Sequence, residues 1–135
     1  MSAVRGVLET CLYAQALEEA ARFYEQVVGL EVESRVPGRH VFFRCGGAMF
    51  LLFHPSATEA PGGMTPPHGA RGAGHVAFAV SRAELPRWRS RLAAAGVAVE
   101  REVEWPRGGR SLYLRDPAGN SVELASPAIW GLEEG

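Results

Sequence analysis

The chain has 135 residues, enough for one compact domain with a core of ordinary size. Hydrophobic residues make up 47% and charged residues 21%, and 14 basic against 15 acidic side chains leave a net charge of −1. That balance removes the electrostatic ground for nucleic acid or an anionic membrane as partner, and no run approaches the roughly 20 apolar residues of a membrane span.

Two cysteines, Cys11 and Cys45, give neither a disulfide framework nor metal-motif spacing. Met1 to Gly6 lacks the charged start and apolar stretch of a secretory signal, so a reducing cytoplasm is the expected location.

In chain order, the segment Val7–Tyr13 is a strand candidate. Leu17, Ala20, Ala21, Tyr24, Val27 and Val28 then recur at helical spacing, with Gly29 placed to stop the helix. An extended stretch, Leu30–Val32, precedes a hairpin from His40 to Phe53 that turns at Gly46-Gly47. Residues 55–74 are rich in Pro and Gly and read as a loop.

The pattern then repeats. His75–Val80 is a strand candidate. Ser81 with Glu84 suggests a capping box, and Leu85, Trp88, Leu92 and Ala95 mark a helix stopped by Gly96. Val97–Val99 is again extended, and a hairpin from Ser111 to Leu124 turns at Asp116–Asn120. The order is β-α-β-β-β twice, module one at about 7–54 and module two at about 73–125 of a single domain, 1–135. The fold class expected is α+β, two tandem βαβββ modules forming a half-open barrel around a cavity.

Strand alternation sorts the side chains by face. Glu9, Cys11 and Tyr13 share one face of the first strand; His75, Ala77 and Ala79 share one face of its counterpart; Ser121, Glu123 and Ala125 share one face of the last strand. Small residues on these faces suit a cavity. Glu9, His75 and Glu123 thus lie on equivalent interior faces, while Leu51 is the first-half counterpart of Glu123. Two carboxylates and an imidazole suit one divalent metal per site, Fe²⁺, Mn²⁺, Ni²⁺, Co²⁺ or Zn²⁺, and three protein ligands leave positions open for substrate or water. Taken singly, such residues are usually a solvated carboxylate or a hydrogen-bonded imidazole; the repeat is what brings them together.

Further candidates are Tyr113 and Glu9 for catalysis, with Arg110, Arg115, Tyr13, Cys11 and His54 for substrate binding, and His68 as a second loop histidine. The arginines read equally as a solvated hairpin edge, and the tyrosines as wall packing.

From Val7 to Ala125 the sequence resembles the vicinal-oxygen-chelate superfamily of glyoxalase I, fosfomycin-resistance and bleomycin-resistance proteins and extradiol dioxygenases. The resemblance is carried by Ala20-Ala-Arg-Phe-Tyr-Glu-Gln-Val-Val-Gly-Leu30, Gly74-His-Val-Ala-Phe-Ala-Val80 and Asp116-Pro-Ala-Gly-Asn-Ser-Val-Glu-Leu124. It implies that His75 and Glu123 are metal ligands, and that Glu9 stands where many members have histidine. Leu51 stands where glyoxalase I has a further carboxylate, which counts against ordinary glyoxalase I chemistry. Gly109-Arg-Ser-Leu-Tyr113 is similar to fosfomycin-resistance proteins, with Tyr113 matching a substrate-facing tyrosine, but no basic residue follows Glu123 to hold a phosphonate.

Two functions follow as expectations. One is a metal-dependent isomerase, lyase or addition enzyme, or a small dioxygenase, acting on an oxygen-chelating metabolite. The other is a metal-free ligand-sequestering protein of the bleomycin-resistance type, with Trp88, Trp105 and Trp130 as stacking surface. A homodimer with a small-molecule substrate is expected, from exposed sheet edges and from the resemblance.

Overall fold

A computed structural model describes residues 2–134. The chain divides into two compact units, one ending at Arg71 and the other starting at Gly72.

The first unit holds β1 (Glu9–Tyr13), α1 (Leu17–Arg22) continued by a π-helical segment (Phe23–Val28), β2 (Glu31–Val36), β3 (His40–Cys45), β4 (Ala48–Phe53) and the short α2 (Pro55–Glu59). Its sheet has the order β1-β4-β3-β2, with β1 parallel to β4 and the other pairs antiparallel. β3 and β4 read HVFFRC and AMFLLF, and β-branched and aromatic side chains suit the pleated central strands. Tyr24 is fully buried, its ring 4.7 Å from Phe50 and 6.2 Å from Phe43, so the helix is fixed on that sheet face by aromatic contact.

The second unit repeats the plan with β5 (His75–Ala79), α3 (Leu85–Ala94) entered through a 3₁₀ turn (Arg82–Glu84), β6 (Arg101–Glu104), β7 (Arg110–Arg115) and β8 (Ser121–Ala125), then a 3₁₀ turn at Pro127–Trp130. Its strand order is β5-β8-β7-β6, again with the first pair parallel. Leu112, Leu114, Val122 and Leu124 form a buried face, and Leu85 and Leu92 are the buried stripe of α3. None of the helices among the described residues is long and apolar enough to cross a membrane.

The duplication holds residue by residue. Glu9 pairs with Met49 as His75 pairs with Ser121; Cys11 with Leu51 as Ala77 with Glu123; Phe42 with Leu51 as Tyr113 with Glu123. Leu51 is thus the register equivalent of Glu123, and Phe42 that of Tyr113.

Four local expectations change. The first helix widens after Arg22, because the Gly29 N–H bonds back five residues to the Tyr24 carbonyl, a closure that Gly29 permits at φ 88°. Val97–Val99 forms no strand: the Val97 N–H bonds to Leu92 and the Gly96 N–H to Ala93, a Schellman closure that ties Val97 to the helix end. The ladder starts at Arg101 instead. The Ser81 side chain makes no cap bond; its carbonyl accepts the Glu84 N–H at 3.0 Å, so a tight turn replaces the capping box. The Pro-rich loop contains α2, whose N-cap is His54, its Nδ1 accepting the Ser56 N–H at 3.2 Å.

Gly109 is where the backbone comes closest to a neighbour. A Cβ built there overlaps the backbone nitrogen and Cγ2 of Ile129. Gly109→Ala is expected to cost about 1–3 kcal/mol or more, the price of overpacking against backbone, and to lower the urea midpoint with the m-value unchanged.

Candidate functional site

In the second unit the site is assembled from the β7–β8 turn outward. Asp116 Oδ1 accepts the backbone N–H groups of Ala118 and Asn120, both at 2.9 Å, and its Oδ2 accepts the Asn120 side-chain amide at 2.9 Å. Asn120 Oδ1 accepts the Gly74 N–H at 2.8 Å, which fixes the residue before His75 to this turn. The parallel register then sets His75 opposite Ser121, two residues from Glu123.

His75 Nδ1 lies 3.0 Å from the Ser121 carbonyl oxygen. A carbonyl only accepts, so Nδ1 carries the proton and, in the neutral ring, Nε2 carries the lone pair. Nε2 is 3.3 Å from Glu123 Oε1. The other oxygen, Oε2, accepts from Ser111 Oγ at 2.5 Å, and that hydroxyl accepts from Trp105 Nε1 at 2.9 Å. Ser111 is completely buried and Glu123 is 5% exposed. A carboxylate this buried is held by the two-step donor chain from the indole.

Tyr113 lies directly across from Glu123, its ring stacked near His75 with centroids 6.4 Å apart. Burial, then the charge of Glu123 and a hydrogen bond to it, push the phenol above its ordinary pKa, so it stays protonated and can donate. The structure therefore brings together His75, Tyr113 and Glu123. It adds Ser111 and Trp105, which the sequence reading did not assign to this group. Ser111 was within reach of strand alternation, since it shares a face with Tyr113. Trp105 lies beyond the end of β6, where no periodicity signals its direction.

Arg110 alternates onto the opposite face and is held by Glu102 at 2.9 Å and Glu104 at 2.5 Å. Arg115 is bound to Glu100 at 2.8 Å. The structure does not bring either arginine onto the His75–Glu123 pair. Trp88 carries Arg91 over its ring at 5.1 Å, and Trp130 is exposed.

In the first unit, Glu9 is exposed at the start of β1. It borders a cavity of about 960 Å³ walled by Phe42, Met49, Leu51, Phe53 and Met64. Arg39 and His68 are its polar members besides Glu9 and Thr65. Tyr13 shares the Glu9 face; its hydroxyl is 2.6 Å from His68 Nδ1 and 3.7 Å from the Cys11 thiol. Burial, the Cys11 contact and Glu59 push the Tyr13 phenol up to about 12. His54 is committed to capping α2.

Among the described residues, no three His, Cys, Asp or Glu side chains gather closely enough within the chain to hold a metal ion.

The family model described as Glyoxalase/Bleomycin resistance protein/Dioxygenase superfamily matches residues 6–124. The chain belongs to this superfamily. It is similar to the solved structure of a lactoylglutathione lyase from Agrobacterium tumefaciens, at 42% identity with TM-score 0.92, over 97% of this chain and 100% of that one. It is also similar to a glyoxalase/bleomycin resistance protein/dioxygenase from Nocardioides, at 24% identity with TM-score 0.73, over 93% of this chain and 85% of that one. The fosfomycin resistance protein FosX from Mesorhizobium loti matches at 22% identity with TM-score 0.64, over 92% of this chain and 93% of that one. At those last two identities the likeness speaks for the fold alone. Within the superfamily's duplicated plan, this chain carries its polar cluster in module two and an apolar-walled cavity in module one.

Two outcomes follow. Ser111→Ala removes the donor to Glu123 and the acceptor for Trp105, and is expected to cost roughly 1–3 kcal/mol in chemical denaturation. The raised Tyr13 pKa favours the protonated folded state, so that contribution is complete below pH ~10 and is lost as pH rises toward 12. Urea midpoints of wild type and Tyr13→Phe, compared from pH 9 to 12, are expected to show the wild type falling faster.

Proposed function

We propose that the chain is a divalent-metal-dependent lyase or isomerase acting on a small substrate that offers two neighbouring oxygens. The His75–Glu123 pair carries this reading. With Nδ1 bonded to the Ser121 carbonyl, His75 turns Nε2 toward a carboxylate oxygen 3.3 Å away. A ring nitrogen and a carboxylate oxygen set this close together suit Fe²⁺, Mn²⁺, Ni²⁺, Co²⁺ or Zn²⁺. The carbonyl behind Nδ1 and the hydroxyl behind Glu123 Oε2 are the outer partners that orient metal-binding side chains. Glu9, exposed and without an ion-pair partner among the described residues, is the third ligand of the proposal, supplied by a second copy of the chain.

When bound, such an ion supplies Lewis-acid stabilisation of developing negative charge on oxygen. The chain's own residues do the rest. Ser111 and Trp105 hold the Glu123 carboxylate in one orientation, with Oε1 turned toward His75. Tyr113, kept protonated, bonds to Glu123 and stands beside the place of the substrate oxygens. A homodimer belongs to the same reading, since β1, β2, β5 and β6 are edge strands within their units.

The likeness to a protein titled lactoylglutathione lyase supports lyase or isomerase chemistry and makes the hemithioacetal of a 2-oxoaldehyde with glutathione the first substrate to assay. Leu51, at the register place of Glu123, removes the further carboxylate implied for glyoxalase I, so a different pair of vicinal oxygens is the second choice. A metal-free sequestering role is favoured by one observation, the apolar-walled cavity of about 960 Å³; binding of a ligand undiminished by chelation would support it.

Purified protein is expected to carry about one divalent metal per chain, and Glu123→Gln and His75→Ala to lower that content at least tenfold with the fold retained. Elemental analysis beside circular dichroism checks this; equal metal content in all three proteins would sink the reading.

A further inference from the structure

The module-one cavity has features that the His75–Glu123 pair does not explain. Its volume, about 960 Å³, is at the upper end for small-molecule sites. Its wall is aromatic and thioether. Phe42 and Phe53 meet edge to face at 5.5 Å, and Phe42 is stacked at 3.8 Å on the buried His40. Met49, Leu51 and Met64 complete it.

Arg39 borders both this cavity and an adjoining one of about 280 Å³. Its guanidinium lies 5.8 Å from the Phe53 ring centre and 2.5 Å from His40 Nδ1, and among the described residues it has no carboxylate partner. The arginines of the second unit that point to a pocket are, by contrast, ion-paired: Arg82 and Arg110 to Glu104, Arg89 and Arg110 to Glu102. His68 borders the same two cavities. The Tyr13 hydroxyl lies 2.6 Å from His68 Nδ1; where it donates there, the other ring nitrogen, Nε2, carries the proton and is a second donor. A cation and an N–H at the border of an apolar hollow are the complement of an anionic oxygen on an apolar skeleton.

We propose that module one is the specificity pocket for an apolar, preferably aromatic, carboxylate, with the carboxylate held by Arg39 and His68 and the skeleton among Phe42, Phe53, Leu51 and Met49. This rests on the proposed function only in placing the substrate's reacting oxygens at the Glu9 end. Arg39 and His68 act as binding residues, and the planar guanidinium offers the carboxylate two parallel N–H donors.

The test uses the full chain, treated with chelator, and calorimetric titration with 3-phenylpropionate, its neutral analogue 3-phenylpropanamide, and propionate. The carboxylate is expected to bind at least tenfold more tightly than the amide, with propionate undetected. Arg39→Met, folded by circular dichroism, is expected to bind acid and amide alike. Equal binding of the two by wild type, no binding of either, or an undiminished preference in Arg39→Met would overturn the proposal. Should Arg39→Met not fold, the wild-type preference for the acid must shrink between 50 mM and 500 mM salt, and a salt-independent preference counts against a guanidinium contact. Metal content, measured on the same preparations before chelation, separates the two readings. Metal retained through Glu123 without acid preference removes this inference alone; acid preference without metal removes the proposed activity alone.

Discussion

A carboxylate buried to 5% exposure is the constraint around which module two is arranged. Glu123 sits on a central strand, with Ala77 on one side and Tyr113 on the other. Taking its charge out of water is costly unless donors replace the lost hydration. Ser111 is one such donor, and its hydroxyl is held in place by the bond it accepts from Trp105. The other carboxylate oxygen is left facing Nε2 of His75, whose own orientation comes from the Ser121 carbonyl. Each group in this chain has one role because its neighbour has removed the alternative. The turn held by Asp116 and Asn120 is then no incidental hairpin: through Gly74 it fixes where His75 begins its strand.

Much of this was legible in the sequence. The duplicated βαβββ order, the helix stops at Gly29 and Gly96 and the faces of β1, β5 and β8 follow from periodicity and glycine placement alone, because side-chain alternation is a local property of a strand. The equivalence of Leu51 with Glu123 was also readable, since both lie at the same offset within matching hairpins. What was not read is which partner each polar side chain takes up once the strands and turns are in place. Arg110 is a plausible anion holder by spacing, yet it alternates to the other face and meets Glu102 and Glu104. His54 is a plausible base by position, yet its ring completes a helix cap. Arg39 had no motif around it; it matters because two cavities border it and, among the described residues, it has no ion-pair partner.

The two units share their topology and differ in chemistry at matching positions. Where module two has Glu123, Tyr113 and Ser111, module one has Leu51, Phe42 and His40. The same ladder thus supports a hydrogen-bonded polar cluster in one copy and an aromatic wall in the other. The aromatic copy keeps His40 buried against Phe42, and burial together with the neighbouring Arg39 charge lowers the pKa of that ring and keeps it neutral. It is therefore a packing element of the wall.

Because the β1-β4-β3 and β5-β8-β7 ladders share their register, a substitution on these strands in one half has a defined counterpart in the other. Side chains at 42, 51 and 53 can drift among apolar shapes without disturbing the hydrogen bonds at 111, 113 and 123, which are made wholly within the second unit. A gene for such a chain can explore new ligands in its first half while selection holds the second half constant. Divergence of recognition ahead of divergence of chemistry is the pattern this duplication permits.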